Sequence, residues 1–124
     1  MIKVLLLKVW RILPYRLQTI LSRVIRPLFQ VGVTAVIFDR DNRILLGKST
    51  YQRFHPWGMP GGGLEYGEPA EEAVVREGFE ETSLVVNFEK LLMVRTFAPD
   101  KFILYYLCTV QDGVFQPGVE VSEA

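Results

Sequence analysis

Residues 60–85, PGGGLEYGEPAEEAVVREGFEETSLV, set three consecutive glycines ahead of a helical pattern that ends in a cluster of like charges. Glu77 and Glu81 stand at i and i+4, with Glu80 at i+3 from Glu77, so all three project from one side of a helix. Exposed like charges at this spacing oppose a helix by roughly a few tenths of a kcal/mol per pair, and in a cleft they raise one another's pKa. A hard divalent cation resolves that conflict. Magnesium takes oxygen ligands, keeps several waters and leaves positions for substrate phosphates. Gly61, Gly62 and Gly63 suit such a site, because a backbone without side chains approaches a metal or an anion closely. The competing reading is a solvated, Glu-rich helix face, which is what such composition usually means.

The segments on either side define the fold class. VGVTAVIFDRDNRILLGKS, residues 31–49, reads as two strands around the turn DRDN, and STYQRFHPWGMPGGG as a Gly/Pro-punctuated loop holding a short extended piece. The helix is expected near Glu68, with Pro69 at its first position and Glu71 and Glu72 in the first turn. Ala70 and Ala73 fall near the carboxylates, while Val75 and Phe79 are expected to turn towards a sheet. Two longer strands, LVVNFEKLLMVRTF and KFILYYLCTVQ, follow and join at APD. Strands, one central helix, then strands make the chain α+β.

The formal net charge of zero hides an uneven distribution. Residues 1–30 carry six bases (Lys3, Lys8, Arg11, Arg16, Arg23, Arg26) and no acid, so residues 31–124 hold eight bases against fourteen acids, a balance of −6. The chain therefore divides into a basic amphipathic arm, 1–30, and an acidic domain, 31–124. Leu17, Ile20, Leu21, Val24 and Ile25 share one face of the arm's second half, opposite Arg16, Thr19, Arg23 and Arg26. Its apolar stretches are too short to span a bilayer, and no small-residue cleavage site follows to make a secretory signal; an organellar presequence, also Arg-rich and acid-poor, stays open. Packing of the arm on its own domain or on a second copy, giving a homodimer, is favoured over peripheral membrane contact through residues 1–26. The bases are confined to an apolar arm, so no stable nucleic-acid partner is indicated. Cys108, the one cysteine, lies in an apolar run and reads as a buried, inert thiol, which suits a reducing, cytoplasmic setting.

The spacing of the central stretch resembles the Nudix hydrolase signature, a glycine, then Glu, Arg-Glu, Glu-Glu, Gly and an aliphatic residue at fixed intervals. Gly62, Glu68, Arg76, Glu77, Glu80 and Glu81 occupy six of its polar or glycine positions without a gap, and Leu84 closes it. Gly78 stands where the family prefers an aliphatic residue and Ser83 where it prefers glycine. A glycine inside a helix costs about 1 kcal/mol relative to Ala, and serine enters the left-handed C-cap conformation less easily than glycine. Both departures bear on helix stability and position, since no expected ligand is lost.

The resemblance implies a Nudix-like α/β/α sandwich with a mixed sheet and one catalytic helix, over residues 31–124. It implies magnesium-dependent hydrolysis of a nucleoside diphosphate linked to another moiety, with manganese as an alternative ion. Glu77, Glu80 and Glu81 would be metal ligands, with the Gly61 carbonyl as a fourth, and Glu77 would also orient or deprotonate the water. Arg76 would hold the carboxylates, and Glu68 would be a secondary catalytic contributor. Gly62, Gly63 and Arg53 are the candidate substrate contacts, whereas His55 reads as structural and Trp57 is expected beneath its loop. Pro99, fifteen positions after Leu84, resembles the ADP-ribose-type pattern, although APD is equally a good hairpin turn. The substrate class therefore leans towards ADP-ribose or a nucleotide sugar. The other reading is a Nudix-fold nucleotide-binding or regulatory module with little turnover, tethered by the arm. The family continues past its last strands into another strand and a helix, and the chain stops at GVEVSEA, about where that continuation would begin; either the domain is C-terminally incomplete, or the arm or a second protomer covers the sheet face left open.

Overall fold

The computed structural model describes residues 1–97 and 99–124. Two short helices, α1 (Ile2–Ile12) and α2 (Tyr15–Ile25), precede strand β1 (Gln30–Ile37). Then come β2 (Gly47–Ser49), β3 (Trp57–Gly58), β4 (Gly61–Gly63), α3 (Ala70–Thr82), β5 (Val85–Phe97), β6 (Lys101–Asp112) and β7 (Val121–Glu123). The α+β expectation holds.

Four strands form a mixed sheet in the order β4-β1-β6-β5. β1 runs antiparallel to β4 and parallel to β6, while β5 and β6 form a long antiparallel pair. Successive side chains of a strand alternate between faces, so Val33, Ala35 and Ile37 of β1 point to one side. They meet Tyr106 and Cys108 of β6, Val86 of β5, and Ala73 and Val74 of α3 in one core cluster. Cys108 is fully buried, and burial pushes its thiol up to about 11, so it is the inert thiol expected.

The DRDN turn forms where expected. Asp39 Oδ1 accepts hydrogen bonds from the backbone N–H groups of Asp41 and Arg43 at 2.8 and 2.9 Å, and Asn42 takes a positive φ of 59°. The hairpin beyond it is shorter than its apolar run suggested. Pairing with β1 extends through the Phe38–Ile44 bridge and the Leu45 N–H to the Ile37 carbonyl, after which β2 joins β3 and β7 in a second small sheet. The turn expected at APD joins β5 to β6 through Pro99 and Asp100, while Ala98 lies outside the described residues.

Helix α3 is rotated relative to the expectation. Ala73, Val74, Gly78 and Thr82 face the sheet, whereas Phe79 is 54% exposed, a correction to its assignment to the core. The cause is a close helix–strand approach: the glycine at 78 lets the helix lie so close to β5 that a Cβ there would be 3.0 Å from Val86 Cγ2. The arm does not cover the open sheet face either. Neither α1 nor α2 buries a residue, and Leu91, Leu92, Met93 and Val94 of β5 stay 43–50% exposed.

Candidate active site

The rotation of α3 places its acidic side inward. Ala70, Ala73, Glu77 and Glu81 follow one another at helical spacing, and Glu77 ends only 9% exposed. What makes room for it is β4. A Cβ on Gly62 would fall 2.4 Å from Glu77 Oε1, and one on Gly61 would fall 2.2 Å from the Val33 carbonyl. The glycine strand is thus a gap into which the helix presses its carboxylates. Glu81 Oε2 accepts a hydrogen bond from the Gly61 N–H at 3.1 Å.

Arg76 organises the remaining acids. Its Nε donates to Glu68 Oε2 at 2.8 Å and its Nη2 to Glu68 Oε1 at 3.0 Å, a two-pronged pairing. Nη1 donates to Glu77 Oε1 at 2.9 Å and to Glu80 Oε2 at 3.1 Å, and Nη2 also reaches the Gly63 carbonyl at 3.2 Å. The guanidinium is therefore the hub of the cluster. Hydrogen bonds from Arg76 hold Glu68 below the usual carboxylate range, and Glu68 in turn raises Arg76.

The two inner carboxylates are pushed the other way. Burial raises Glu77, with Arg76 pulling it back and the charge of Glu80 adding to the rise. Burial likewise pushes Glu81 up to about 7, opposed by the Gly61 N–H and reinforced by Glu77, Glu120 and Glu80. Each of the three carboxylates has one oxygen committed to a protein donor: Glu77 Oε1, Glu80 Oε2 and Glu81 Oε2. The second oxygen of each is left for another partner. No buried side-chain oxygen among the described residues lacks a hydrogen bond, so these second oxygens reach solvent.

This donor set fits a hard cation: anionic oxygens, mutual repulsion and a free oxygen on each residue. Among the described residues the acids do not close into a three-ligand cage by themselves, because Arg76 draws Glu77 and Glu80 while Gly61 draws Glu81. An ion with several waters and substrate oxygens in its shell needs no such cage.

Glu120, just before β7, was not foreseen. It shares a cleft of about 110 Å³ with Glu81, and its charge raises both Glu77 and Glu81. No spacing rule could reach it, since the backbone N–H of Thr50 fixes its position by bonding the Glu120 carbonyl at 2.9 Å. Tyr51, Gln52, Met59 and Gly61 line that cleft and also a larger cavity of about 630 Å³. The large cavity extends past Gly62 and Gly63 to Thr34 and Lys101. Arg53 is exposed on the same loop, and it is its neighbours Tyr51 and Gln52 that line the cavity. His55 is exposed. Trp57 is not beneath the loop: it is 48% exposed, with the Lys48 ammonium 5.9 Å from its ring centre.

A family model described as the NUDIX domain matches residues 28–124. The chain belongs to the NUDIX family. It is 37% identical over 95 residues to an ADP-ribose pyrophosphatase of Methanocaldococcus jannaschii, an alignment covering 71% of this chain and 56% of that protein. The crystal structure of a NUDIX hydrolase from Nitrosomonas europaea superposes with a TM-score of 0.71 at 24% identity, over 79% of this chain and 56% of the other. That of an ADP-ribose pyrophosphatase from Streptococcus suis gives 0.64 at 27% identity, over 74% and 68%. This NUDIX chain thus spans a little over half the length of the first two relatives. No helix among the described residues is long and apolar enough to cross a membrane.

Proposed function

We propose that residues 31–124 form a cytoplasmic, magnesium-dependent hydrolase that cleaves the diphosphate linkage of a nucleoside diphosphate joined to another moiety, of ADP-ribose or nucleotide-sugar type. The observation that carries this is the trio Glu77, Glu80 and Glu81, each with one oxygen fixed by the protein and one free, with Glu81 lining a cleft that shares Tyr51, Gln52, Met59 and Gly61 with the cavity of about 630 Å³. The volume suits a nucleotide-sized ligand. The names of the Methanocaldococcus and Streptococcus relatives support the ADP-ribose leaning.

A divalent ion bound there, magnesium or in its place manganese, supplies charge neutralisation and an activated water. Glu77, Glu80 and Glu81 would hold it, with the Gly61 carbonyl beside them, and Glu77 would orient the water. Arg76 fixes Glu77 and Glu80, and Glu68 fixes Arg76 in turn. Gly62 and Gly63 leave open backbone on the cavity wall, where phosphate oxygens can approach, and Arg53 stands near enough in sequence to Tyr51 and Gln52 to reach an outer phosphate. A homodimer would cover the exposed strip Leu91–Val94 of β5 and is checked by sedimentation velocity, where a monomer at all concentrations excludes it.

Hydrolysis of ADP-ribose, nucleotide sugars, nucleoside triphosphates and oxidised nucleotides with magnesium, beside Glu81→Gln, tests the reading. Turnover of the first two classes that Glu81→Gln abolishes is expected. Saturable nucleotide binding without turnover would replace the enzyme with a binding module.

A further inference from the structure

The arm has a shape and charge that the hydrolase site does not use. Gln18 Nε2 donates to the carbonyls of Trp10 and Leu13, both at 2.9 Å, and so ties the start of α2 to the end of α1. The two helices are therefore a preformed pair. Their outward apolar faces have no cover: Leu5, Leu6 and Leu7 are 62–63% exposed, and Ile20, Val24 and Ile25 are 58–77% exposed. Apolar surface of this extent marks a contact site.

Charge decides what that contact is. Residues 1–30 carry six bases and no acid, and every ion pair among the described residues lies between positions 39 and 123. The arm's recorded side-chain link to the rest of the chain is a hydrogen bond from Arg23 Nη2 to Tyr66 Oη at 3.2 Å, with no acid involved. Pairing two arms through their apolar faces would gather twelve bases and no acid around one small bundle, with nothing to offset their repulsion. A nucleic acid would match the bases and leave the leucines and isoleucines in water. A bilayer surface with anionic headgroups matches both, since apolar side chains enter the headgroup boundary while Lys and Arg meet lipid phosphates. Each helix of eleven residues is roughly 16 Å long, about half a hydrocarbon core, so the pair lies on the membrane instead of crossing it.

We infer that residues 1–26 dock the chain on an anionic membrane surface, with both apolar helix faces turned to the lipid. Tyr66 is two positions from Glu68, the anchor of Arg76, so the Arg23–Tyr66 bond holds the acidic site beside the docked arm.

Cosedimentation of the full chain with phosphatidylcholine vesicles, with and without phosphatidylglycerol, tests this. Binding to the anionic vesicles and little to the neutral ones is expected. The triple substitution Lys8→Gln, Arg16→Gln, Arg26→Gln should weaken it on the order of a hundredfold, given about a tenfold or smaller loss per base. Ile20→Ser, Val24→Ser, Ile25→Ser should weaken it comparably. Both variants should keep the wild-type thermal transition of the domain, because neither arm helix buries a residue. Absence of binding to anionic vesicles overturns the proposal. So does binding that survives the serine substitutions, which would be simple charge attraction, and so does a dimer that they dissociate in a chain that ignores vesicles.

Discussion

The carboxylate of Glu77 rests against the backbone of Gly62 so closely that an added Cβ would stand 2.4 Å from its Oε1. The contact joins helix α3 to strand β4 at the centre of the acidic cluster. Glycine at 62 thus leaves the space in which the carboxylate now lies, and no positive φ is involved. Gly62→Ala must displace the carboxylate end of Glu77, and a displacement near 1 Å in a reacting site costs on the order of a hundredfold in rate. We expect kcat to fall by about that factor while the fold survives. Steady-state kinetics with a circular dichroism spectrum check it, and unchanged kcat would mean that Glu77 has no positional role.

Arg76 gives a second prediction. It joins Glu68, Glu77 and Glu80, and Glu77 is 9% exposed. Arg76→Gln leaves a buried carboxylate without its cation, at a cost of about 1–3 kcal/mol. Arg76→Lys keeps the charge but cannot make the two-pronged bond to Glu68, so it should recover part of the stability and little of the activity. Urea melts and kcat measured on both variants separate the two effects. Equal stability of the two would contradict this account.

Much of this arrangement was legible in the sequence. The positions of Arg76, Glu77, Glu80 and Glu81 follow from helical spacing, which is local and regular. The Asp39 turn and the two long strands were equally plain, because turn chemistry and alternating burial act over a few residues. What could not be read depended on distant contacts. Phe79 reads as core in the sequence, whereas Gly78 brings the helix onto Val86 and leaves Phe79 outside, and Glu120 joins the cluster only through the pairing of residues far apart in the chain. The uncovered arm was hidden for the same reason, since an amphipathic pattern does not say which surface it will meet.

Glu81 couples the site to pH. In the metal-free chain burial pushes its carboxyl up to about 7, above the ordinary glutamate value of 4.5 that an unfolded chain keeps. Between those values the folded state binds more protons than the unfolded state, so stability falls as pH rises through that window. Thermal melts in EDTA should therefore give a lower Tm at pH 8 than at pH 5.5 on account of this group. Glu81→Gln should remove much of the difference, because the amide is neutral throughout and its oxygen can still accept from the Gly61 N–H. The same variant should lower kcat on the order of a hundredfold or more with magnesium present, as expected for a lost charge-stabilising group. A pH dependence that Glu81→Gln leaves intact would move its origin to other groups.

The two departures from the family pattern yield opposite predictions. Ser83 already occupies the left-handed C-cap, with φ 61° and ψ 13°, where glycine has no steric penalty. Ser83→Gly should stabilise the chain by about 0.5–1 kcal/mol, as relief of a non-glycine residue at positive φ. Gly78 differs, because a Cβ would meet Val86 Cγ2 at 3.0 Å across the helix–sheet contact. Alanine gains about 1 kcal/mol of helix propensity there, against an overpacking cost of about 1–3 kcal/mol. The net effect of Gly78→Ala should be a loss of up to about 2 kcal/mol. Val86→Ala removes the obstructing methyls, so the loss on adding Gly78→Ala should be smaller in that background than alone, a coupling that a double-mutant cycle measures. Additive effects would show that α3 shifts freely on β5, and the position of the carboxylates would then not depend on this contact.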